Sequence, residues 1–438
     1  MTEPEVEQCD VAVIGGGPGG STAAALLARR GYRVIALEKA RHPRFHIGES
    51  LLPMNLPVFE RLGVLDKVHK LGVFKRGADF ETDGARGYSV YAFARAIGQS
   101  PPHAYHVWRQ DFDRMLYQHA RECGAEAREG HEVLWVEQRG PRDSWLQVRT
   151  DDGRDYAIRA RYVVDASGRD ALLATKLKLR RRSRQHQSAA IFGHFRDAER
   201  RDGEDAGNVS IYRFAHGWMW MIPLPDGVMS VGAVCRPGYL KRRKGRTVEF
   251  LLDTLQLNPA LWQRVERAGL IGNEVHLTGN YSYDASRMGG PGWLLVGDAF
   301  AFLDPVFSSG VYLAMDGAER AAELVDAALR EPQRERALLR RLERRQRRGM
   351  ARFAFFIHRF NAPVMRQMLR SPRNTWQLEQ AVISMLAGDL FDTPKVLWRL
   401  QLFKLVYAML CLRDWRRSRA ERRCRLAQAR APLGGDSG

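Results

Sequence analysis

A glycine-rich loop near the start of the chain has the residue types and spacing for binding a dinucleotide. Gly15, Gly17 and Gly20 form a G-x-G-x-x-G pattern directly after an apolar run, and small residues follow. In such a loop Gly15 permits the tight turn, Gly17 lets the backbone approach a pyrophosphate, and Gly20 lets helix and strand pack closely. The helix N-terminus then offers free N–H groups and partial positive charge to the phosphates. Glu38 ends the next apolar run, where its carboxylate can accept hydrogen bonds from a ribose diol.

The elements that must position this loop form a βαβ unit. Residues 9–14 and 32–37 read as buried strands, and residues 21–30 read as the helix between them. Further helices are predicted over residues 51–72, 110–123, 311–330, 334–360, 376–387 and 396–423. Most of residues 188–234 read as strands.

A second apolar run late in the chain ends in Gly297-Asp298. Together with the first loop, with an R-x-x-F-D pattern that begins at Arg109 and with a V-D-A-S-G segment at residues 164–168, it resembles the p-hydroxybenzoate hydroxylase superfamily. The resemblance implies FAD as cofactor, with Asp298 bonded to the ribityl chain and Arg109 reaching the diphosphate. Four further cofactor contacts are expected, namely Lys39, Arg44, Ile47 and Val133.

Two more segments resemble the flavin-dependent halogenases. Trp218 and Trp220 stand in a W-x-W-x-I-P pattern, and Lys75 stands in a K-x-G context after a Gly-Glu-Ser segment. The resemblance implies that the tryptophans keep the substrate from reaching the flavin and that Lys75 is the catalytic lysine. Two tryptophans at positions i and i+2 also share one face of a strand, so plain packing is the alternative for them. For Lys75 the alternative is an ordinary surface charge.

The segment from Pro305 to Val311, whose two end residues are expected flavin contacts, contains a potential anion site. The consecutive N–H groups of Ser309 and Gly310 lie next to a predicted helix start, where they can form a small nest for an anion. In the halogenases the matching amides hold chloride or bromide; the alternative is a loop that only contacts the flavin ring. Phe307 stands where tryptophan halogenases carry a glutamate. The resemblance therefore favours the branch that acts on phenolic or pyrrole substrates, often tethered to an acyl or peptidyl carrier protein.

The implied reaction is halogenation of an electron-rich aromatic substrate by reduced FAD, oxygen and halide. A separate flavin reductase supplies the reduced flavin, or the flavin is reduced in place. Hypohalous acid reaches Lys75, which positions it by a hydrogen bond or forms a haloamine. Burial would lower the pKa of such a lysine and make the neutral amine available. Two alternatives stay open: an FAD-dependent hydroxylase, dehydrogenase or reductase on the same scaffold, and a non-catalytic FAD-stabilised binding protein.

The predicted fold class is α/β, with a Rossmann-like FAD-binding domain, a β-sheet substrate domain and a helical C-terminal region. The FAD-binding domain spans residues 1–185 and is interrupted by substrate-side strands at about 76–108. The β-rich substrate domain spans 186–285, the chain returns to the FAD-binding domain over 286–330, and residues 331–438 form the helical region.

Charge and cysteine usage bound the partners and the compartment. The net charge is +19, and residues 334–352 carry nine arginines against two glutamates. Such runs are typical of solvated helix faces, or of a surface for an acidic carrier protein or an anionic membrane. No nucleic-acid motif is present, so nucleic acid is not an expected partner. Five widely spaced cysteines and the absence of a secretory pattern in the acidic first ten residues favour a reducing, cytoplasmic setting.

The last predicted helix has apolar residues at helical spacing, among them Trp398, Leu402, Leu405 and Met409. Packing on the body of the protein is the plain interpretation. A lid over the substrate cleft, a dock for a carrier protein and peripheral membrane contact remain open.

Overall fold

The computed structural model describes residues 6–82, 87–182, 188–243, 245–279, 282–370 and 374–413, together with Arg419 and Arg423. The strands are β1 Val6–Ile14, β2 Val34–Glu38, β3 Gly72–Lys75, β4 Gly77–Glu81, β5 Tyr88–Ala92, β6 Ala104–Val107, β7 Glu126–Glu129, β8 His131–Gly140, β9 Asp143–Thr150, β10 Asp155–Asp165, β11 Arg180–Arg182, β12 Ala189–Arg196, β13 Val209–Phe214, β14 Gly217–Pro223, β15 Val228–Cys235, β16 Gly269–Leu270, β17 His276–Thr278, β18 Tyr283–Ala285, β19 Gly289–Gly290, β20 Trp293–Leu295 and β21 Ala301–Phe302. The helices are α1 Pro18–Ala28, α2 Leu56–Leu62, α3 Leu65–Leu71, α4 Arg109–Glu122, α5 Leu172–Lys176, α6 Pro237–Leu240, α7 Thr247–Gln256, α8 Pro259–Val265, α9 Gly310–Arg330, α10 Glu335–Ile357, α11 Pro363–Arg370, α12 Leu378–Leu386 and α13 Pro394–Arg413.

The first sheet is built around parallel strands in the order β20-β10-β1-β2-β7, with β19 antiparallel at one edge. The hairpin β8–β9 joins this sheet through β10. In β1 the residues from Val11 to Ile14 are almost fully buried, because helices α1, α4 and α9 pack against one another beside the sheet. A continuous apolar run is the pattern expected of a parallel strand that is covered on both faces. The predicted α/β class is confirmed.

The second sheet has the order β16-β12-β15-β14-β13-β4-β5, and its strands β12–β15 are antiparallel neighbours. Its two faces belong to different hydrophobic clusters, since successive side chains of a strand point to opposite sides. On β13, Val209 and Ile211 join one cluster, and Tyr212 joins the other. Residues of α7 and α8, such as Leu251 and Leu261, cover the Tyr212 face.

The C-terminal helices share a core with the other face of this second sheet. Phe353 and Phe356 of α10 are buried in the same cluster as Phe80 of β4 and the two tryptophans of β14. Helix α10 and the strands are therefore one packed unit in this region. None of the helices in the described part of the chain combines the length and the apolar character that a membrane span requires.

The helix predictions differ from the structure in several places. The helix predicted over 51–72 is wrong as a single element, because Gly63 adopts φ +73° and ends α2 before α3 begins. Helices α5, α6, α7, α8 and α11 lie in segments for which no helix was predicted. The helix predicted over 396–423 is present as α13 up to Arg413, and most of the remainder lies outside the described residues.

Candidate active site

A cavity of about 420 Å³ lies where the two sheets meet. The loops after β1, β2, β10 and β20 all reach it, because the carboxyl ends of parallel strands share one edge of a sheet. Most of the residues predicted to bind the cofactor, the halide or the substrate line this cavity: Gly15, Gly17, Glu38, Lys39, Arg44, Ile47, Arg109, Trp218, Trp220, Asp298, Pro305, Ser309, Gly310 and Val311.

The glycine-rich loop has the geometry of a phosphate cradle. Gly15 has φ +103°, and a side chain there would collide with the carbonyl oxygen of Ala166. Gly17 is the N-cap of α1, and no side chain caps the first turn of this helix. The main-chain N–H groups of that turn can therefore bind a ligand. Glu38 accepts a hydrogen bond from the N–H of Gly16 at 2.7 Å, which fixes its carboxylate at the cavity wall.

Arg109 is anchored before any ligand arrives. Its Nε and Nη2 donate to Asp113 at 2.9 and 3.0 Å, and its Nη1 donates to the carbonyl oxygen of Ile47 at 2.7 Å. Burial raises the pKa of the Asp113 carboxyl, but the charges of Arg109 and Arg44 outweigh burial and hold that pKa below its usual range. The guanidinium is therefore a fixed cation at the cavity.

Asp298 lines the cavity three residues after β20 ends. Burial raises the pKa of its carboxyl to about 6. The hydroxyl of Tyr283 donates to the main-chain oxygen of Asp298 at 2.9 Å and fixes the turn. A carboxyl held in this way can hydrogen-bond to hydroxyl groups of a bound ligand.

Three of the predicted site residues do not line the cavity. Gly20 instead lies against the carbonyl oxygen of Gly15, where only a glycine fits, so it serves the close packing that its position predicts. Val133 is a buried residue of β8 paired with Val148, and the structure does not bring its side chain to the cavity. The third residue is Lys75.

Lys75 is buried beside the cavity, separated from it by one hydroxyl group. Its side chain is 1% exposed, and its Nζ donates to Ser50 Oγ at 2.8 Å and to the carbonyl oxygen of Leu51 at 3.0 Å. Ser50 itself lines the cavity. The ring centroid of Phe93 lies 5.4 Å from Nζ on another side. Burial lowers the pKa of Lys75 to about 7, so the neutral amine is accessible near neutrality.

The charge of Lys75 acts on the pKa of a neighbouring histidine, His106. Burial, followed by the nearby charge of Lys75, holds the pKa of His106 well below its usual range. Its Nε2 lies 3.0 Å from the carbonyl oxygen of Gly207. The ring is therefore neutral at ordinary pH and adds no second charge beside the amine.

Both tryptophans stand at the cavity wall and each indole is fixed by a hydrogen bond. Trp218 Nε1 donates to Asp304 at 3.2 Å, and Trp220 Nε1 donates to Ser230 at 3.2 Å. Asp304 also accepts a hydrogen bond from Ser188 at 2.8 Å. Trp218 is thereby tied to the segment that leads into α9.

The segment before α9 forms a concave set of amides. Ser308 has φ +55° and Ser309 has φ −81°, a left-handed residue followed by a right-handed one. This alternation turns successive N–H groups toward one point, as in an anion nest. Ser309 and Gly310 both line the cavity. The halide role of Ser309 and Gly310 stays a prediction.

Sequence reasoning missed the residues that hold the site residues in place. Ser50 and Asp304 bind Lys75 and Trp218, and Glu49 at the cavity wall lies 2.6 Å from His194 Nε2. The Gly-Glu-Ser segment offered a signal for Ser50 and Glu49, since it breaks an apolar pattern with polar groups. No comparable signal marks His194.

The chain matches the FAD binding domain family over residues 8–355. It is similar to the tryptophan 2-halogenase of Chondromyces crocatus, with 35% identity over 326 residues that cover 73% of this chain and 61% of the relative. The chain thus spans less than two thirds of that relative. It is also similar to the 1H-pyrrole-2-carbonyl peptidyl-carrier protein chlorinase of Pseudomonas fluorescens, with 28% identity, 88% of this chain and 90% of the relative.

Two solved structures, one of a halogenase and one of a flavoprotein/dehydrogenase, are similar to this chain. The myxobacterial chondrochloren halogenase has a TM-score of 0.77 and 31% identity, with 90% of this chain and 96% of that chain covered. A flavoprotein/dehydrogenase from Cytophaga hutchinsonii has a TM-score of 0.84 and 25% identity, with 93% and 100% covered.

The cavity fits FAD, and the prediction of this cofactor is confirmed. The uncapped start of α1 suits a diphosphate, as does Gly15, where any side chain would collide with the Ala166 carbonyl oxygen. Glu38 suits a ribose, and Asp298 suits a ribityl chain. These residues would hold the diphosphate, the ribose and the ribityl chain of the cofactor within one cavity.

A Gly15→Ala substitution is expected to abolish FAD retention. The added methyl group would meet the Ala166 carbonyl oxygen and displace the phosphate loop, and we expect bound FAD to fall by about tenfold or more, equivalent to ~1.4 kcal/mol or more of binding. Gly31→Ala is the matched control, since Gly31 also has positive φ, at +84°, but no atom within 4 Å. The flavin absorbance of each purified protein measures the outcome, and normal flavin content in Gly15→Ala would contradict the assignment.

Proposed function

Because the chain belongs to the FAD binding domain family and to the flavin-dependent halogenases within it, we propose that it halogenates an electron-rich aromatic substrate with reduced FAD, oxygen and halide. The observation that carries this proposal is the position of Lys75. A buried amine with a lowered pKa lies one hydroxyl group from the flavin cavity. Plain surface charge does not account for a lysine that is 1% exposed.

Reduced FAD, when bound, supplies with oxygen the oxidising power that converts halide to hypohalous acid. The protein's own part begins with the Ser309–Gly310 nest, which would hold the halide beside the cavity. The fixed indoles of Trp218 and Trp220 close the wall, so that an organic substrate does not meet the flavin directly. Ser50 then marks the passage toward Lys75.

Lys75 would transfer the halogen. The neutral Nζ attacks the halogen of hypohalous acid, an N–halogen bond forms, and the O–halogen bond breaks. The released hydroxide takes the amine proton and leaves as water. The aromatic carbon then takes the halogen as the N–halogen bond breaks, and the proton lost by that carbon returns to the nitrogen and restores the neutral amine. A hydrogen bond from Nζ that positions hypohalous acid, without an N–halogen bond, is the alternative role of the same group.

The substrate would be a phenol or a pyrrole, free or held on a carrier protein. Support comes from the pyrrole chlorinase relative, whose own name specifies a carrier-bound pyrrole. A separate flavin reductase would supply reduced FAD. Helix α13 carries the exposed side chains Trp398, Leu405 and Met409, which a carrier protein or a membrane surface would cover.

A dehydrogenase or hydroxylase is the second candidate, because the Cytophaga hutchinsonii flavoprotein/dehydrogenase has the higher TM-score of the two structures compared. The two functions differ in their need for halide. In the presence of FAD, NADH and a flavin reductase, we expect phenol-, pyrrole- or indole-containing compounds to yield products whose mass carries the isotope pattern of added chloride or bromide. Oxidation of NADPH by the isolated protein on addition of an aromatic compound, with no halogenated product, would favour the second candidate.

Lys75→Ala is expected to separate the flavin reaction from halogen transfer. We expect retained FAD and oxygen consumption but a fall of about 10²-fold or more in halogenated product, because the group that receives the halogen is gone. Lys70→Ala is the matched control, since Lys70 is an exposed lysine of α3. Product formation by Lys75→Ala at the rate of the control would refute the role of Lys75.

The pH dependence of product formation distinguishes the two roles of Lys75. Since the pKa of Lys75 is lowered to about 7, its neutral form is scarce below that pH and predominates above it. A haloamine route therefore predicts a rate of halogenation that rises with pH through about 7 and levels off above. Oxygen consumption measured in the same samples serves as the control for flavin chemistry. A halogenation rate that is flat across this range would exclude the haloamine route and leave the hydrogen-bonding role.

A further inference from the structure

Arg213 has one edge of its guanidinium buried without an acceptor. Its Nε and Nη2 are both buried, and neither has a hydrogen-bond partner among the described residues. Buried polar groups of folded proteins are nearly always hydrogen-bonded, and a guanidinium is costly to remove from water unless an acceptor meets it. The two unsatisfied donors on this side chain therefore lack an acceptor that the described residues supply.

The position of Arg213 relates it to the flavin cavity. On β13 the side chains of Val209, Ile211 and Arg213 share one face of the strand. Val209 and Ile211 line the cavity, and Arg213 continues their row away from it. Trp218 of the neighbouring strand is the register partner of Arg213.

Aromatic rings connect the guanidinium with the segment before α9. Arg213 lies over the ring of Phe360, 4.4 Å from its centroid. Phe360 in turn contacts Phe80 and Phe307, with ring centroids 5.8 and 5.9 Å apart. Phe307 directly precedes the Ser308–Ser309 pair that forms the anion nest.

The neighbouring charges do not satisfy the buried edge. Burial lowers the pKa of Arg213 to about 10, and the charge of Arg366 acts in the same direction, whereas Tyr91 and Glu81 oppose it. The carboxylate of Glu81 accepts from Asn258 at 2.8 Å and from the main-chain N–H of Arg213 at 3.4 Å. Its hydrogen bonds thus go to groups other than the guanidinium.

The two unsatisfied donors specify the shape of the missing acceptor. The N–H groups of Nε and Nη2 point to the same side of the planar group, parallel to each other. This edge matches the two oxygens of a carboxylate, which it can bind in a bidentate manner. A neutral amide offers only one oxygen to the same edge.

We propose that Arg213 binds a carboxylate carried by the aromatic substrate, on the Phe307 side of the flavin cavity. The inference rests on the proposed halogenase function and narrows its substrate to an acid. The substrate ring would take up space that apolar side chains now fill. A cavity of only about 10 Å³ lies beside the two rings that contact Phe360, and it is lined by Phe80, Phe307, Phe356, Met365, Leu369, Val382, Met385 and Leu386. Helices α11 and α12 carry five of these residues and must therefore move outward for the ring to enter.

The test is a binding measurement on the FAD-loaded protein without turnover. Three acids, 4-hydroxybenzoate, pyrrole-2-carboxylate and indole-3-carboxylate, are each compared with their carboxamides by calorimetry. A charge-assisted bidentate contact predicts that at least one acid binds about tenfold or more tighter than its amide. Arg213→Gln is expected to remove this difference, and Arg213→Lys to keep part of it. Arg196→Gln, at an exposed arginine of β12, is the matched control and keeps the full difference.

If Arg213 only stabilised the fold, its replacement by an apolar residue would lower the thermal midpoint of unfolding. The proposal predicts no such loss. Arg213→Met retains the apolar stem and removes the unsatisfied donors, so we expect a thermal midpoint without ligand that is equal to or above that of the parent protein. A lowered midpoint, equal affinity for acids and amides, failure of all three acids to bind, or an acid preference that survives Arg213→Gln would each overturn the proposal. Acid binding that depends on Arg213, combined with no halide-dependent product, would instead refute the halogenase function alone.

Discussion

The burial of a primary amine is the constraint around which this site is organised. Lys75 is held by two acceptors, Ser50 Oγ and the Leu51 carbonyl oxygen, and faces the ring of Phe93. Burial with so few polar neighbours disfavours the ammonium form, so the pKa is lowered and the lone pair becomes available. The short segment 49–51 and strand β3 flank β6 on opposite sides, which is how residues 25 positions apart in sequence come into contact. A neutral His106 completes the surroundings without adding charge.

The same sheet face serves the cofactor cavity and the helical layer. Trp218 and Trp220 belong to the cavity wall and also to the hydrophobic cluster of α10–α13. Asp304 binds Trp218 and caps the turn from which the anion nest begins. The cavity wall, the nest and the helical layer are therefore connected through the same side chains.

Local patterns in the sequence predicted the elements whose function depends on their own residues. The glycine loop, Glu38 and Asp298 reach one cavity, because the parallel order of β1, β2, β10 and β20 brings the ends of these strands together. The paired tryptophans reach the same cavity from β14 of the second sheet. Contacts between distant segments were not predictable in this way. Ser50 and Asp304 act through partners on strands β3 and β14, and Arg213 contacts Phe360 between α10 and α11. A single sequence does not state which of these segments are neighbours. Val133 shows the reverse case, since a residue expected at the cofactor belongs to the core of β8. The break between α2 and α3 was not predicted, because one glycine within an apolar helical pattern is compatible with a continuous helix and with a helix end.

The odd-numbered and even-numbered side chains of strand β13 lie on opposite faces of the sheet and contact different parts of the protein. Val209, Ile211 and Arg213 face the flavin and the helical layer, while Tyr212 faces the cluster under α7 and α8. Insertion or loss of one residue within this strand would exchange the two faces and turn every side chain to the wrong side. A change in the length of this strand would therefore need a β-bulge to restore the two faces, whereas a substitution would not. The length of β13 is therefore constrained by the alternation of its two faces, independently of which residues occupy them.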